Sequence, residues 1–283
     1  MKRTLLRLAQ LMSLALVINI STLVHAQAQV TTKALTIGES LQMPSKHLAE
    51  TRRINVLLPD AYAHDPQTSY PVIFMLDGGV AEDFLHIAGL TQVSIANGTM
   101  RPFILVGIEN TVRRRDLTSP SANALDQRDI PNAGGSAIFR RFLVEELIPE
   151  ISQRYRVTQE RVLVGESLAG LFTLETLLKT PDAFQTYIAI DPSLWWNDEK
   201  LTADFAAQLN AQASLAKKLY FASSGQAGME KVIQHFADLL EQTKPLGLQW
   251  TYEKYREETH ATIYHPAALK AFRRLLAPPQ VKK

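Results

Sequence analysis

The chain has 283 residues, of which 46% are hydrophobic and 20% charged, a globular composition with room for one large domain or two small ones. It contains no cysteine, which excludes thiolate nucleophiles and Cys-ligated metal sites. The formal charge is +2, but Lys2, Arg3 and Arg7 supply three of the 30 basic groups; beyond residue 26, 27 basic groups face 28 acidic ones, so the remainder is near −1 and offers a nucleic acid no electrostatic footing.

Those three basic residues precede a mostly apolar run from Leu8 to Leu23, and Val24-His25-Ala26 places small residues at −3 and −1 of a cleavage site. Residues 1–26 are therefore expected to be a secretory signal, and 27–283 a single domain with no stable membrane span, located in a periplasm or outside the cell. Polar residues follow. Leu35 to Met43 and Arg52 to Leu58 read as two strands pairing as an antiparallel edge. Tyr70 to Leu76 is apolar throughout, as expected of a central parallel strand buried on both faces. Asp77-Gly78-Gly79 at its end permits backbone to approach a ligand. A helix over 81–92, a strand over 102–108, a long loop to Ser136 and an amphipathic helix over 135–155 come next.

The segment Val162-Leu163-Val164-Gly165-Glu166-Ser167-Leu168-Ala169-Gly170 joins a short buried strand to a helix through a tight corner. A serine there lifts its hydroxyl above the sheet beside the first free N–H groups of the helix, the geometry of the nucleophile elbow of α/β-hydrolases. Ala169 departs by one methyl from the usual Gly-x-Ser-x-Gly. Further on, a strand over 184–190 leads into Asp191-Pro192-Ser193-Leu194-Trp195-Trp196, a helix spans 201–215, and a strand spans 218–222. A helix over 229–241, a strand over 248–256, the loop 257–262 and a helix from Pro266 to about Leu276 complete the chain. This alternation predicts an α/β fold: a doubly wound, mostly parallel sheet with an N-terminal antiparallel edge and helices on both faces, whose ligands bind at the carboxyl ends of the strands.

A serine hydroxyl needs a base within hydrogen-bond reach. After Ser167 the histidines are His235, on the polar face of a helix, His265, at a helix entry, and His260, in the loop after the last strand. His260 is the expected base. For the acid three readings stay open: Glu230 after the strand 218–222, Asp191 at the end of the preceding strand, or a Ser–His dyad without one. The N–H groups of Leu168 and of Gly78 or Gly79 are the expected oxyanion donors. Arg113 and Arg115 are candidates to clamp an anionic or catechol-rich ligand, and Trp195 and Trp196 to line a pocket.

The elbow, the segment Val106-Gly107-Ile108-Glu109-Asn110-Thr111 with Arg113 and Arg115-Asp116-Leu117-Thr118, and Pro192-Ser193-Leu194-Trp195-Trp196 resemble the putative-esterase family of α/β-hydrolases, which includes esterase D and the ferric-enterobactin and salmochelin esterases. The resemblance runs from about Leu35 to Leu276. It implies Ser167 as nucleophile and His260 as base, and it leaves the acid open, since a Ser–His dyad serves some siderophore esterases of this kind. The expected activity is cleavage of small carboxylic esters, a siderophore trilactone among them, with no metal or organic cofactor. An acyltransferase on the same Ser–His site and an inactive binding module are the alternatives.

Overall fold

Apolar runs with β-branched residues at their centres fix the middle of the fold. The computed structural model describes residues 30–209 and 215–279. The expected secretory signal at 1–26 lies outside the described residues. By contacts the chain divides at Thr36/Ile37; residues 30–36 have no regular structure, and Ile37–Lys283 forms a compact unit of its own.

That unit holds an eight-stranded sheet: β1 Glu39–Ser45, β2 Glu50–Leu57, β3 Tyr70–Met75, β4 Ile104–Ile108, β5 Val157–Glu166, β6 Thr186–Ile190, β7 Lys217–Ser224 and β8 Leu248–Tyr255. The spatial order is β1-β2-β4-β3-β5-β6-β7-β8. The β1–β2 and β2–β4 pairs are antiparallel, and every pair from β3–β4 to β7–β8 is parallel. β1 runs past Met43 through Pro44, which pairs with Thr51 on the sheet's edge strand, where proline is tolerated.

Strand alternation divides the core in two. Val72, Phe74 and Leu163 face one layer, and Ile73, Met75, Val162 and Val164 face the other. The second layer is covered by α1 (Phe84–Ala96) and, at the chain's end, by a helix running Tyr264–Leu275. The first is covered by a helix α2, which begins α-helical (Ser136–Arg141), widens to a π-helix (Phe142–Leu147) and returns to α-helix (Ile148–Arg154), followed by α3 (Leu168–Lys179), α4 (Trp196–Leu209) and α5 (Ala227–Thr243). The C-terminal helix is α6. The apolar spacing predicts α2 but not its π segment. Pro149 has no N–H to give the carbonyl four residues back, and the ladder widens just before it. Among the described residues no helix is long and apolar enough to cross a membrane.

Candidate active site

The corner between β5 and α3 is built by three small residues. Ser167 has φ 60°, ψ −122°, a conformation an L residue enters only when its surroundings impose it, at about 1–3 kcal/mol. Its N–H donates to Ile190 O (3.0 Å), and its carbonyl accepts from Ser193 N (3.0 Å), so β6 and its exit loop hold the corner from the side. A Cβ on Gly165 would lie 2.5 Å from the carbonyl of Ala169 and 2.7 Å from its methyl. The Ala169 methyl therefore fits because its facing residue is glycine. Gly170 allows Pro192 to pack close against the start of the helix.

Ser167 Oγ lies 3.0 Å from Nε2 of His260. The loop that carries His260 is pinned by Ile263 N–H to Thr259 O (3.1 Å) and by Gly225 N–H to Glu258 O (2.8 Å). On its other side, His260 Nδ1 lies 2.7 Å from Asp191 Oδ2. Asp191 is fully buried, in the left-handed region at φ 43°, and accepts from both the backbone N–H and the hydroxyl of Ser224 (2.8 Å each). These bonds fix its carboxylate and leave Oδ2 facing the imidazole. The arrangement places the His260 proton on Nδ1 and leaves Nε2 to accept from the serine. The Asp191 bond raises the His260 pKa above its ordinary value against the opposing effect of burial.

Glu230 does not reach this histidine. It sits in the first turn of α5 and accepts from Lys254 Nζ on β8 (3.0 Å). The tip of β7 is instead used, through Ser224, to hold Asp191. Of the three readings of the acid, the geometry brings Asp191 to the imidazole.

The expected oxyanion donors separate likewise. Leu168 is the first helical residue of α3, where an N–H has no intrahelical partner and the dipole favours negative charge. Gly78 is otherwise engaged: its N–H donates to Ile108 O (2.9 Å), and a Cβ on it would lie 2.3 Å from Gly107 Cα. That glycine lets β3 and β4 close on each other, and its N–H belongs to the strand end rather than to a ligand. The Gly79 N–H donates to Glu82 Oε2 (2.7 Å).

Arg113 donates from Nε and Nη2 to the two oxygens of Asp77 (2.7 Å each), and Asn110 Nδ2 donates to the same carboxylate (2.6 Å). Asp77 is buried at the tip of β3, and this bidentate pair sets Arg113 over the sheet edge, within electrostatic reach of His260 and Glu166. Arg115 is not available to a ligand. Its guanidinium is held by Asp116 (2.7 Å) and Glu50 (2.9 Å), in a network with the buried Arg52 that ties β2 to the loop after β4. The two tryptophans also part. Trp196 is 2% exposed and donates its indole N–H to Ser119 O (3.0 Å), a packing role, whereas Trp195 is 42% exposed in the loop after β6.

Sequence reasoning passed over Asp77 and Glu166, each read only as the polar residue of a turn. Asp77 has φ 53° immediately after a wholly apolar strand, the position where a charged residue meets the ligand edge of a parallel sheet. Glu166 is the interior residue of the serine motif; burial pushes its carboxyl up to about 8.

The chain matches the model of a protein family described as "Putative esterase" over residues 45–267. It is similar to the ferri-bacillibactin esterase BesA of Bacillus subtilis, 36% identical over 185 residues that cover 59% of this chain and 63% of that protein. It is also similar to the apo-salmochelin esterase of Escherichia coli, 30% identical over 153 residues covering 50% of this chain and 46% of that one. Both matches thus cover less than two thirds of the relative's length. Among solved structures it superimposes on an IroE-like serine hydrolase from Shewanella oneidensis with a TM-score of 0.77 and 30% identity, covering 84% of this chain and 80% of that one. The sheet order is that of an α/β-hydrolase, and by the extent of the family match this chain belongs to the putative esterase family.

Proposed function

We propose that this chain is an exported serine esterase that opens siderophore-type ester linkages through an acyl-enzyme. The observation that carries the reading is the unbroken line Ser167 Oγ, His260 Nε2, His260 Nδ1, Asp191 Oδ2, with contacts of 3.0 and 2.7 Å. Ser167 attacks the ester carbonyl as its proton passes to Nε2. Asp191 stabilises the resulting imidazolium without itself taking the proton. The Leu168 N–H faces the charge that develops on the carbonyl oxygen. The imidazolium gives its proton to the departing alkoxide, and a water activated by the same nitrogen releases the acid and restores the serine.

The substrate class is supported by what the relatives are named for, a ferri-bacillibactin and an apo-salmochelin esterase, and by an arginine within electrostatic reach of His260. Export is supported by the order of basic, apolar and small residues in 1–26. The test is a fluorophosphonate label followed by turnover of apo and ferric trilactones against p-nitrophenyl esters. Folded protein unlabelled at Ser167 refutes the esterase; labelling with no preference for a trilactone refutes the substrate.

A further inference from the structure

Glu166 is the last residue of β5, immediately before the nucleophile. Its Oε1 lies 3.5 Å from Nδ1 of His260, the nitrogen already bonded to Asp191. That imidazole nitrogen carries one hydrogen, and its hydrogen bond is accepted by Asp191. Oε1 of Glu166 is buried and has no hydrogen-bond partner in the protein, unusual for a buried polar atom. A carboxyl thus stands against the catalytic imidazole without being bonded to it.

The groups that face it come from every neighbouring element: Asp77 from the tip of β3, Arg113 from the loop after β4, Asp191 from the tip of β6, His260 from the loop after β8, and Tyr264 from the start of α6. Arg113 is the one permanent cation of this set, and its two bonds go to Asp77. With two carboxylates nearby, a third charge is admitted only at a cost, which falls when His260 becomes an imidazolium. We infer that Glu166 is a positioning residue for His260, a second carboxyl at the Nδ1 edge whose ionisation state sets how strongly the imidazolium is held during acylation.

The inference rests on the serine-esterase reading. Burial holds Glu166 protonated up to about pH 8, with Asp77 and Asp191 adding to the rise and His260 and Arg113 opposing it. Above that pH the carboxyl releases its proton to solvent, and a second negative charge faces the imidazolium that forms as Ser167 gives up its proton. Tyr264 is raised by burial well above the ordinary tyrosine value, so it does not titrate in the same range.

The test is the pH profile of kcat/KM for a p-nitrophenyl ester from about pH 6 to about pH 9.5, in wild type and Glu166→Gln. Wild type is expected to rise to a first plateau as His260 loses its proton, then by a further threefold to tenfold, roughly, through pH 8. Glu166→Gln is expected to keep the first rise and lack the second. Superimposable profiles overturn the inference and leave the esterase reading standing. That reading fails separately, if Ser167→Ala retains turnover. Should Glu166→Gln not fold, the ring-nitrogen signals of His260 in wild type decide: a second titration step near pH 8 supports the inference, and a single step overturns it.

Discussion

The carboxylate of Asp191 meets Nδ1 of His260 at 2.7 Å while its other oxygen takes the backbone N–H of Ser224. One buried side chain so ties the tips of two neighbouring strands to the loop after a third. Asp191→Asn should therefore lower kcat by about a thousandfold or more, as expected when an orienting carboxylate is lost. Because the Asp191 bond raises the His260 pKa, the acid limb of kcat/KM in that variant should move to lower pH. Glu230→Ala, which breaks only a contact with Lys254, should stay within about twofold of wild type. Steady-state kinetics of the two variants checks this, and a reversed ranking would sink the assignment of Asp191.

Gly165 and Ala169 should respond oppositely to one methyl. Gly165→Ala drives a methyl into the first turn of α3 at 2.5 Å, and loss of esterase activity with several kcal/mol of stability is expected. Ala169→Gly removes a methyl that already fits, and should cost about 1 kcal/mol through helix propensity while leaving activity near wild type. Urea unfolding alongside ester turnover distinguishes the two.

The paired tryptophans give a second contrast. Trp196→Ala empties a buried site and should cost about 3–5 kcal/mol. Trp195→Ala, at a residue 42% exposed, should leave the melting temperature nearly unchanged and raise KM for aromatic esters over aliphatic ones. An unchanged KM ratio would remove Trp195 from the substrate path.

Glu166 also predicts how stability depends on pH. Its folded-state pKa, about 8, stands above the ordinary value of 4.5, so the folded chain binds this proton more tightly than the unfolded chain. The stabilisation is complete below about pH 4.5 and is lost as pH rises to about 8. Glu166→Gln lacks this loss, so its stability relative to wild type should grow across that window, by a few kcal/mol on the order of the linkage relation. Urea titrations at several pH values measure it, and parallel curves for the two proteins would contradict it.

The sheet was legible because its central strands are continuous apolar runs, and the corner because Gly165 and Ser167 are small residues between a strand and a helix. The nearness of His260 to Ser167 was legible by position, since a histidine after the last strand is where the connectivity returns to the corner. The acid was not, because Asp191 and Glu230 follow adjacent strands and differ only in where Ser224 and Lys254 draw them. Gly78 misled for a physical reason: a glycine needed for backbone to approach a ligand looks the same in sequence as one needed for two strands to meet. Arg113 and Arg115 are separated by the carboxylates that capture them, Asp77 and Asp116, and only the fold shows which capture faces the site.

The exit loop of β6 limits where this chain tolerates a change of length. Asp191 starts it, Ser193 N–H bonds to the carbonyl of Ser167, Trp195 protrudes from it, and Trp196 is anchored to Ser119. Asp191 and Trp195 thus share one short stretch stitched to the Ser167 peptide, and inserting or deleting a residue there would displace both at once. Changes of loop length have room instead around residues 124–133, which are exposed or half-exposed and carry none of the line from Ser167 to Asp191. Exchange of the Trp195 side chain keeps that stretch in register, and lengthening of the outer segment leaves it untouched.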